Sequence, residues 1–284
     1  MNSSLYRPAL YSGRLHADEH ERFVPFLHEL IACAFAIIEP LFLADLAVID
    51  KADATPVTAA DRGAEAALRE RIAARFPGHG ILGEEYGETP GTRYRWILDP
   101  IDGTRAFIHN CFLFGTLIAL ERDDGQGYRP ILGCIAHAAA GVALIGHRDG
   151  TVLYRRDGSH RTVRVRAPRP LAACTVLTTA PAGSAEQGAD PRLGPLLARA
   201  ALARTWGDCF GYFSLATGGA DAMLDPMLAY WDVAAIVPVV EGAGGRVSSW
   251  RGGDPLQEPS LIASTGPLHD EILAALAAVP SGDR

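Results

Sequence analysis

Paired cysteines are absent from this chain. Its five cysteines (Cys33, Cys111, Cys134, Cys174 and Cys209) are scattered, odd in number and form no CxxC pair. That excludes a disulfide framework and a zinc-finger pattern, and thiols set in apolar runs such as LGCIAHA fit a reducing compartment. Excess positive charge is also missing. A formal net charge of −7 argues against a nucleic-acid binder that works by neutralising phosphates. The start, MNSSLYRPALYSGRL, lacks the charged head, apolar run and small-residue cleavage site of a signal peptide. The most apolar stretch, residues 30–49, is broken by Glu39, Pro40 and Asp45, which predicts a buried helix with a proline-marked end rather than a membrane span. There is no internal repeat and no low-complexity segment. What remains is 284 residues, 48% hydrophobic and 21% charged, enough for one or two domains with a large core. A cytoplasmic enzyme fits this balance.

Periodicity divides the chain in two. In the first part, Asp53 to Thr55 read as a turn and ADRGAEAALRERIAARF as an amphipathic helix closed by Pro77-Gly78. Thr58 and Asp61 resemble a capping box, with Asp in place of the usual Glu or Gln. A short strand GIL, the loop GEEYGETPG, the strand YRWIL, a further strand FGTLIALERD and a meander from Pro130 to Gly158 follow. SHRTVRVRAPRP alternates Thr and Val with Arg and reads as an edge strand. Pro168 and Pro170 then suggest a boundary, giving an α+β part over residues 1–166 and an α/β part over 167–284. In the second part, CTVLTTAP and RVSSW read as strands. PRLGPLLARAAL, FGYFSLATGGADAML, WDVAAIVPVVEGAGG and HDEILAALAAV read as helices, the second running on into a short strand.

The stretch WILDPIDGTRAF carries the chemistry. Asp99 closes a strand, Pro100 fixes the backbone after it, and Asp102 returns to the same side before Gly103 and Thr104 present their N–H groups. Two carboxylates and the Ile101 carbonyl form an all-oxygen donor set suited to Mg2+ or Mn2+ rather than zinc. Amides opening a helix or tight turn at Gly103 bind phosphate. An acidic surface turn with ordinary Asp-Gly chemistry would read the same way. Three further acids weigh against that alternative. Glu84, with Glu85 beside it, lies in a glycine-flanked loop after a strand. Asp232 opens a helix, where it could simply complement the helix dipole, and Asp61 could be only a cap. Together they make a two-metal site, because carboxylates around a phosphate repel it unless cations lie between.

In this order, TPVTAAD, GEEYG, WILDPIDGTRAF and YWDVAAIVPVVEGAGG resemble the inositol monophosphatase-like, Mg2+-dependent, lithium-sensitive phosphomonoesterases. The resemblance spans most of the chain. It implies a layered αβαβα sandwich with two subdomains, a homodimer, and two or three Mg2+ ions per site, Mn2+ being possible. It makes Glu84, Asp99, the Ile101 carbonyl, Asp102 and Asp232 metal ligands, and Gly103 and Thr104 phosphate-binding amides. Asp61 becomes the acid holding the Thr104 hydroxyl, so that Asp61, Thr104 and Glu84 orient an attacking water. Glu85 receives no role. The implied reaction is direct in-line hydrolysis of a small phosphomonoester without a phosphoenzyme.

Within that family, GEEYG, FLFGTLIAL and above all TWGDCFGYFSLATGGADAMLDP resemble the histidinol-phosphate phosphatases of histidine biosynthesis. Histidinol phosphate carries an ammonium and an imidazole, so its pocket should hold carboxylates beyond those on metal; Asp208 and Asp225 are available. Asp208 could instead cap the helix after it. His109 points the other way, toward inositol-phosphatase-like sequences, although a solvent-facing loop histidine is the plainer reading. Inositol-1-phosphate is the alternative substrate, with nucleotide 3′-phosphates and fructose-1,6-bisphosphate behind it. A haloacid-dehalogenase-type site fails because it needs Asp-x-Asp rather than Asp-x-x-Asp. An EF-hand lacks its alternate acids and its twelfth-position Glu. A catalytically silent metal-binding homologue would be favoured by loss of Glu84, Thr104 or Asp61, and all three are present.

Overall fold

The computed structural model describes residues 10–44, 49–50, 56–180, 190–258 and 260–278. The turn expected at Asp53 to Thr55 lies outside them. Helix α1 (Ala17–Ile38) buries Phe23, Leu27, Leu30, Ala34 and Ile38 in one stripe at helical spacing. It begins well before the apolar run that marks it in the sequence. Its cap is His16, whose amide donates to Glu19 at 2.9 Å, and histidine is not an expected start signal. The helix ends where Pro40 enters a 3₁₀ turn, Glu39–Leu41. By length and composition Ala17–Leu41 could cross a membrane, yet that stripe is packed onto a sheet.

A two-residue pair, β1 (Ile49–Asp50) with β2 (Pro56–Val57), precedes α2 (Ala59–Arg75). The large sheet then forms from β3 (Gly80–Gly83), β4 (Gly87–Thr89), β5 (Tyr94–Asp102), β6 (Gly115–Asp123), β7 (Tyr128–His137), β8 (Val142–His147), β9 (Gly150–Arg155) and β10 (His160–Val163). A short helix, α3 (Thr104–Ile108), interrupts the run after β5. Its order is β10-β9-β8-β7-β6-β5-β3-β4, antiparallel except for β3 beside β5. The Arg-rich segment is thus an edge strand, as its alternation predicts, while the GEEYGETPG loop contains a strand the sequence did not signal. After Pro168 and Pro170 come β11 (Thr175–Leu177), α4 (Leu193–Leu197), β12 (Leu202–Arg204), α5 (Asp208–Ala216), β13 (Ala222–Asp225), α6 (Tyr230–Gly242), β14 (Arg246–Ser248), β15 (Leu261–Ser264) and α7 (Leu268–Ala277). The strands make a second sheet ordered β12-β11-β13-β15-β14.

Side-chain alternation sets the layers. On β5 and β6, Trp96, Leu98, Ile118 and Leu120 face the α1 and α2 core. Ile97, Leu117 and Ala119 face the opposite way, against α5 and α6. The far side of those helices meets Leu177, Met223 and Ala263 of the second sheet. Val176, Ala222, Leu224 and Ile262 turn outward to α4 and α7. The result is an αβαβα sandwich, with α5 and α6 shared between the sheets.

Candidate active site

A bulge builds the first half of the site. On a regular strand, residues three apart point to opposite faces. The pairing of β5 with β6 is regular down to Asp99 opposite Leu117, then shifts so that Asp102 stands opposite Gly115. Three steps on one strand match two on the other, and the extra residue brings Asp102 back to the side of Asp99. Pro100 donates no ladder bond, and its carbonyl accepts the Thr116 hydroxyl at 2.8 Å. The strand therefore runs on through Asp102, beyond the end expected at Asp99.

The second half comes from α6. Asp232 sits in its first turn and accepts the Ala229 amide at 2.9 Å. Asp99, Asp102 and Asp232 each offer an oxygen, all within 4.8 Å of one another. Glu84 joins them across the bulge, hydrogen-bonded to Asp99. Its own amide, donating to the Leu98 carbonyl at 3.1 Å, fixes the loop after β3. Burial, then repulsion from Glu84, Asp102 and Asp232, pushes the Asp99 carboxyl well above its ordinary range. Burial and Asp232 push Asp102 up to about 8. Burial raises Asp232 to about 7 against the stabilising Ala229 amide. Oδ1 of Asp99 is buried and has no hydrogen-bond partner among the described residues. A wholly oxygen donor set with an orphaned carboxylate oxygen in it fits a hard divalent cation.

Next to the acids, Gly103 adopts φ +78° and turns the chain into α3, whose first-turn N–H groups have no acceptor inside the helix. The Thr104 hydroxyl lies 3.4 Å from Asp61 Oδ1 and 3.1 Å from the Ile101 carbonyl. Asp61 is also the cap that its sequence position suggested, since its Oδ2 accepts the Thr58 amide at 2.8 Å and the Thr58 hydroxyl at 2.5 Å. One carboxylate thus both caps α2 and approaches the Thr104 hydroxyl. Burial raises its pKa, with the Thr58 bonds working against that.

Asp208 opens α5 at φ +49°, a left-handed conformation uncommon outside glycine. Its Oδ2 lies 2.8 Å from where a Cβ on Gly103 would stand, so its carboxylate hangs directly over the turn into α3. Burial, then Asp102 and Asp225, push its pKa up to about 8. Asp225 is completely buried, with its oxygens accepting the Tyr212 hydroxyl at 2.8 Å and the Thr179 amide at 3.1 Å. His109 is exposed and its Nδ1 is 2.8 Å from the Arg105 carbonyl, a local helix-end contact. Glu85 lies 3.8 Å from Arg62.

Two contributors escaped the sequence reading. The buried Glu65 on α2 accepts the Glu85 and Tyr86 amides at 2.7 and 3.2 Å and the Arg69 guanidinium at 2.7 Å, tying down the loop that carries Glu84. Its signal was available: Asp61, Glu65, Leu68 and Ile72 share one buried helical face, and charges in an apolar stripe call for partners. The Cys209 amide, donating to Asp102 Oδ2 at 2.5 Å, had no side-chain signal at all.

The fold and site together place an all-oxygen acidic cluster that could hold a divalent cation beside the opening of a short helix. More particularly, the chain belongs to the inositol monophosphatase family, whose profile matches residues 19–281. It is 37% identical over 233 residues to a histidinol-phosphatase of Chlorobaculum parvum, covering 81% of this chain and 87% of the relative. To an inositol-1-monophosphatase of Caulobacter vibrioides it is 34% identical over 247 residues, covering 82% and 92%. An inositol monophosphatase structure from Zymomonas mobilis superimposes with a TM-score of 0.78 at 35% identity, over 91% of this chain and 98% of that one. The protein is a phosphatase of this family.

Proposed function

We propose that the protein hydrolyses L-histidinol phosphate to L-histidinol and phosphate in a Mg2+-dependent reaction. The observation that carries the substrate assignment is Asp208, whose carboxylate overhangs Gly103. A phosphate seated on the Gly103 and Thr104 amides puts its ester group beside that carboxylate. A cationic leaving group gains a charge-assisted contact there, and a neutral polyol does not. The histidinol-phosphatase relative supports the same reading.

Glu84, Asp99, the Ile101 carbonyl, Asp102 and Asp232 would hold the metal. Mg2+ bound there neutralises the phosphoryl oxygens and lowers the pKa of an attacking water. The chain's own groups do the rest. Asp61 and the Ile101 carbonyl hold the Thr104 hydroxyl, which with Glu84 would orient the water in line with the ester bond. The α3 amides steady the phosphoryl oxygens as charge shifts among them.

Inositol-1-phosphate stands as the second reading, favoured by the comparable identity to the Caulobacter relative. The deciding experiment measures kcat/KM with Mg2+ for both substrates, with Asp99→Asn as control. A preference for histidinol phosphate of about a hundredfold, roughly 2.7 kcal/mol of transition-state binding, supports the proposal. Equal rates, or a preference for inositol phosphate, would sink it. Absence of Mg2+-dependent turnover of any phosphomonoester would restore the silent-homologue alternative.

A further inference from the structure

We infer that Thr179 is a positioning residue for substrate specificity, its hydroxyl holding Asp208 in the left-handed conformation that aims the carboxylate over Gly103. This rests on the role proposed above for Asp208.

Asp208, Leu43 and Asn110 are the non-glycine residues with positive φ among those described. Aspartate tolerates that region better than most side chains, but a single conformation there is kept only where its surroundings hold it. Here they do so from several directions. The Asp208 amide donates to Thr179 Oγ1 at 2.9 Å. Gly207 packs so closely on Thr179 that a Cβ there would collide with it. The Thr179 amide donates to Asp225 Oδ1 at 3.1 Å, and Asp225 Oδ2 accepts the hydroxyl of Tyr212, one turn further along α5. A closed loop of bonds thus runs from the start of α5 through Thr179 and Asp225 back into α5. The adjoining residue, Cys209, is fastened to the other sheet through Asp102.

The topology makes Thr179 a rigid anchor. It follows β11, and Asp225 ends β13, the parallel neighbour of β11. Ligand sites gather at the carboxyl ends of adjacent parallel strands because the backbone there is fixed while the following loops are free to vary. Among its described hydrogen bonds, Thr179 reaches Asp208 and Asp225 and none of the metal-binding acids. Losing its hydroxyl should therefore disturb the leaving-group contact before the phosphate and metal contacts. It also gives the buried Asp225 a part in the device: it braces, through the Thr179 amide, the residue that aims Asp208.

The test compares wild type with Thr179→Ser, Thr179→Ala, Thr179→Val and Asp208→Asn. Each is assayed with Mg2+ for kcat/KM on L-histidinol phosphate and inositol-1-phosphate, and by calorimetry for binding of L-histidinol to the Mg2+-loaded protein. The expected result is a histidinol-to-inositol ratio about tenfold lower in the Ala and Val variants, mainly through KM, with L-histidinol binding weakened in parallel and Thr179→Ser close to wild type. If Val prevents folding, the Ala and Ser pair decides. Equal losses on both substrates, or failure of Ser to rescue, would leave Thr179 a purely structural residue and overturn the inference. A ratio lowered by Asp208→Asn but by neither Ala nor Val would remove Thr179 alone. A ratio untouched by Asp208→Asn would remove the Asp208 reading and this inference together.

Discussion

Glu65 Oε2 accepts the backbone amide of Glu85 at 2.7 Å. Through that bond a carboxylate in the middle of α2 fixes the loop whose preceding residue, Glu84, faces the acid cluster. Glu65 is wholly buried, and Arg69, its partner one turn along the helix, also bonds Thr89 and Gly87 at the loop's far end. Glu65→Ala should raise the Mg2+ concentration for half-maximal activity about 10-fold to 100-fold, the usual cost of losing an outer-shell partner. It should also lower stability by about 3 kcal/mol, because Arg69 and two amides lose their acceptor. A melting temperature that falls while the Mg2+ midpoint stays put would restrict Glu65 to a structural role.

Gly103→Ala should be far more harmful than its size suggests. The backbone at φ +78° disfavours any side chain, and the new Cβ would press on Asp208. Activity should fall by about 10²-fold or more as the amides tilt away from the phosphate, with a stability loss near 1 kcal/mol. Gly158→Ala is the control, since it has φ +83° but nothing within 4 Å of its Cβ position. It should lose comparable stability and keep full activity. Matching kinetics for the two variants would mean that Gly103 contributes only its backbone conformation.

Thr104 offers a cleaner separation of binding from chemistry. Its hydroxyl contacts Asp61 and the Ile101 carbonyl, whereas its amide belongs to the helix opening. Thr104→Ala should cut kcat by about 10²-fold with little change in KM, the range expected when a group that positions or relays a proton is lost. Thr104→Ser should recover most of it. A selective rise in KM in the Ala variant would mean that the hydroxyl binds phosphate and does not orient water.

The layered fold and the grouping of the three acids were both legible in the chain, for physical reasons. Asp99 and Asp102 are close in the chain and Asp232 opens a helix far along it, but all three are chemically distinct, so their residue types stand out. The bulge that makes Asp99 and Asp102 neighbours could be inferred because Pro100 breaks the ladder between them. The start of α1 was hidden because His16 is a rare cap. The strand at Gly87–Thr89 was hidden because all of it is exposed and carries no alternation. The bonds that Asp225 makes to Tyr212 and Thr179 were hidden for a different reason: the partners lie on other elements, 13 and 46 residues away along the chain. Bonds from backbone amides, such as Cys209 to Asp102, have no sequence signal because every residue carries the same donor.

The acid cluster should make the metal-free protein weaker as pH rises. Asp102 and Asp232, at about 8 and about 7, lie above the ordinary carboxylate range, so the folded state holds protons that the unfolded chain has released. Their stabilising contribution is complete below pH ~4 and is lost as pH rises through 7 and 8. His79 and His269, lowered to about 4 chiefly by burial, act in the opposite sense but only below their unfolded value near 6.5. The window from pH 6.5 to 8.5 therefore isolates the carboxylates. In EDTA the melting temperature should fall across it, and Mg2+ should raise it more at pH 8.5 than at 6.5. Asp99→Asn removes one of the cluster's titrating carboxyls. The metal-free variant should melt higher than wild type at pH 8.5 and gain little from Mg2+, while its kcat falls by about 10³-fold, equivalent to several kcal/mol of lost charge stabilisation. A metal-free wild-type protein whose stability is flat or rising over this window, with Asp99→Asn no more stable, would mean that the cluster is not under the charge repulsion that cation binding relieves.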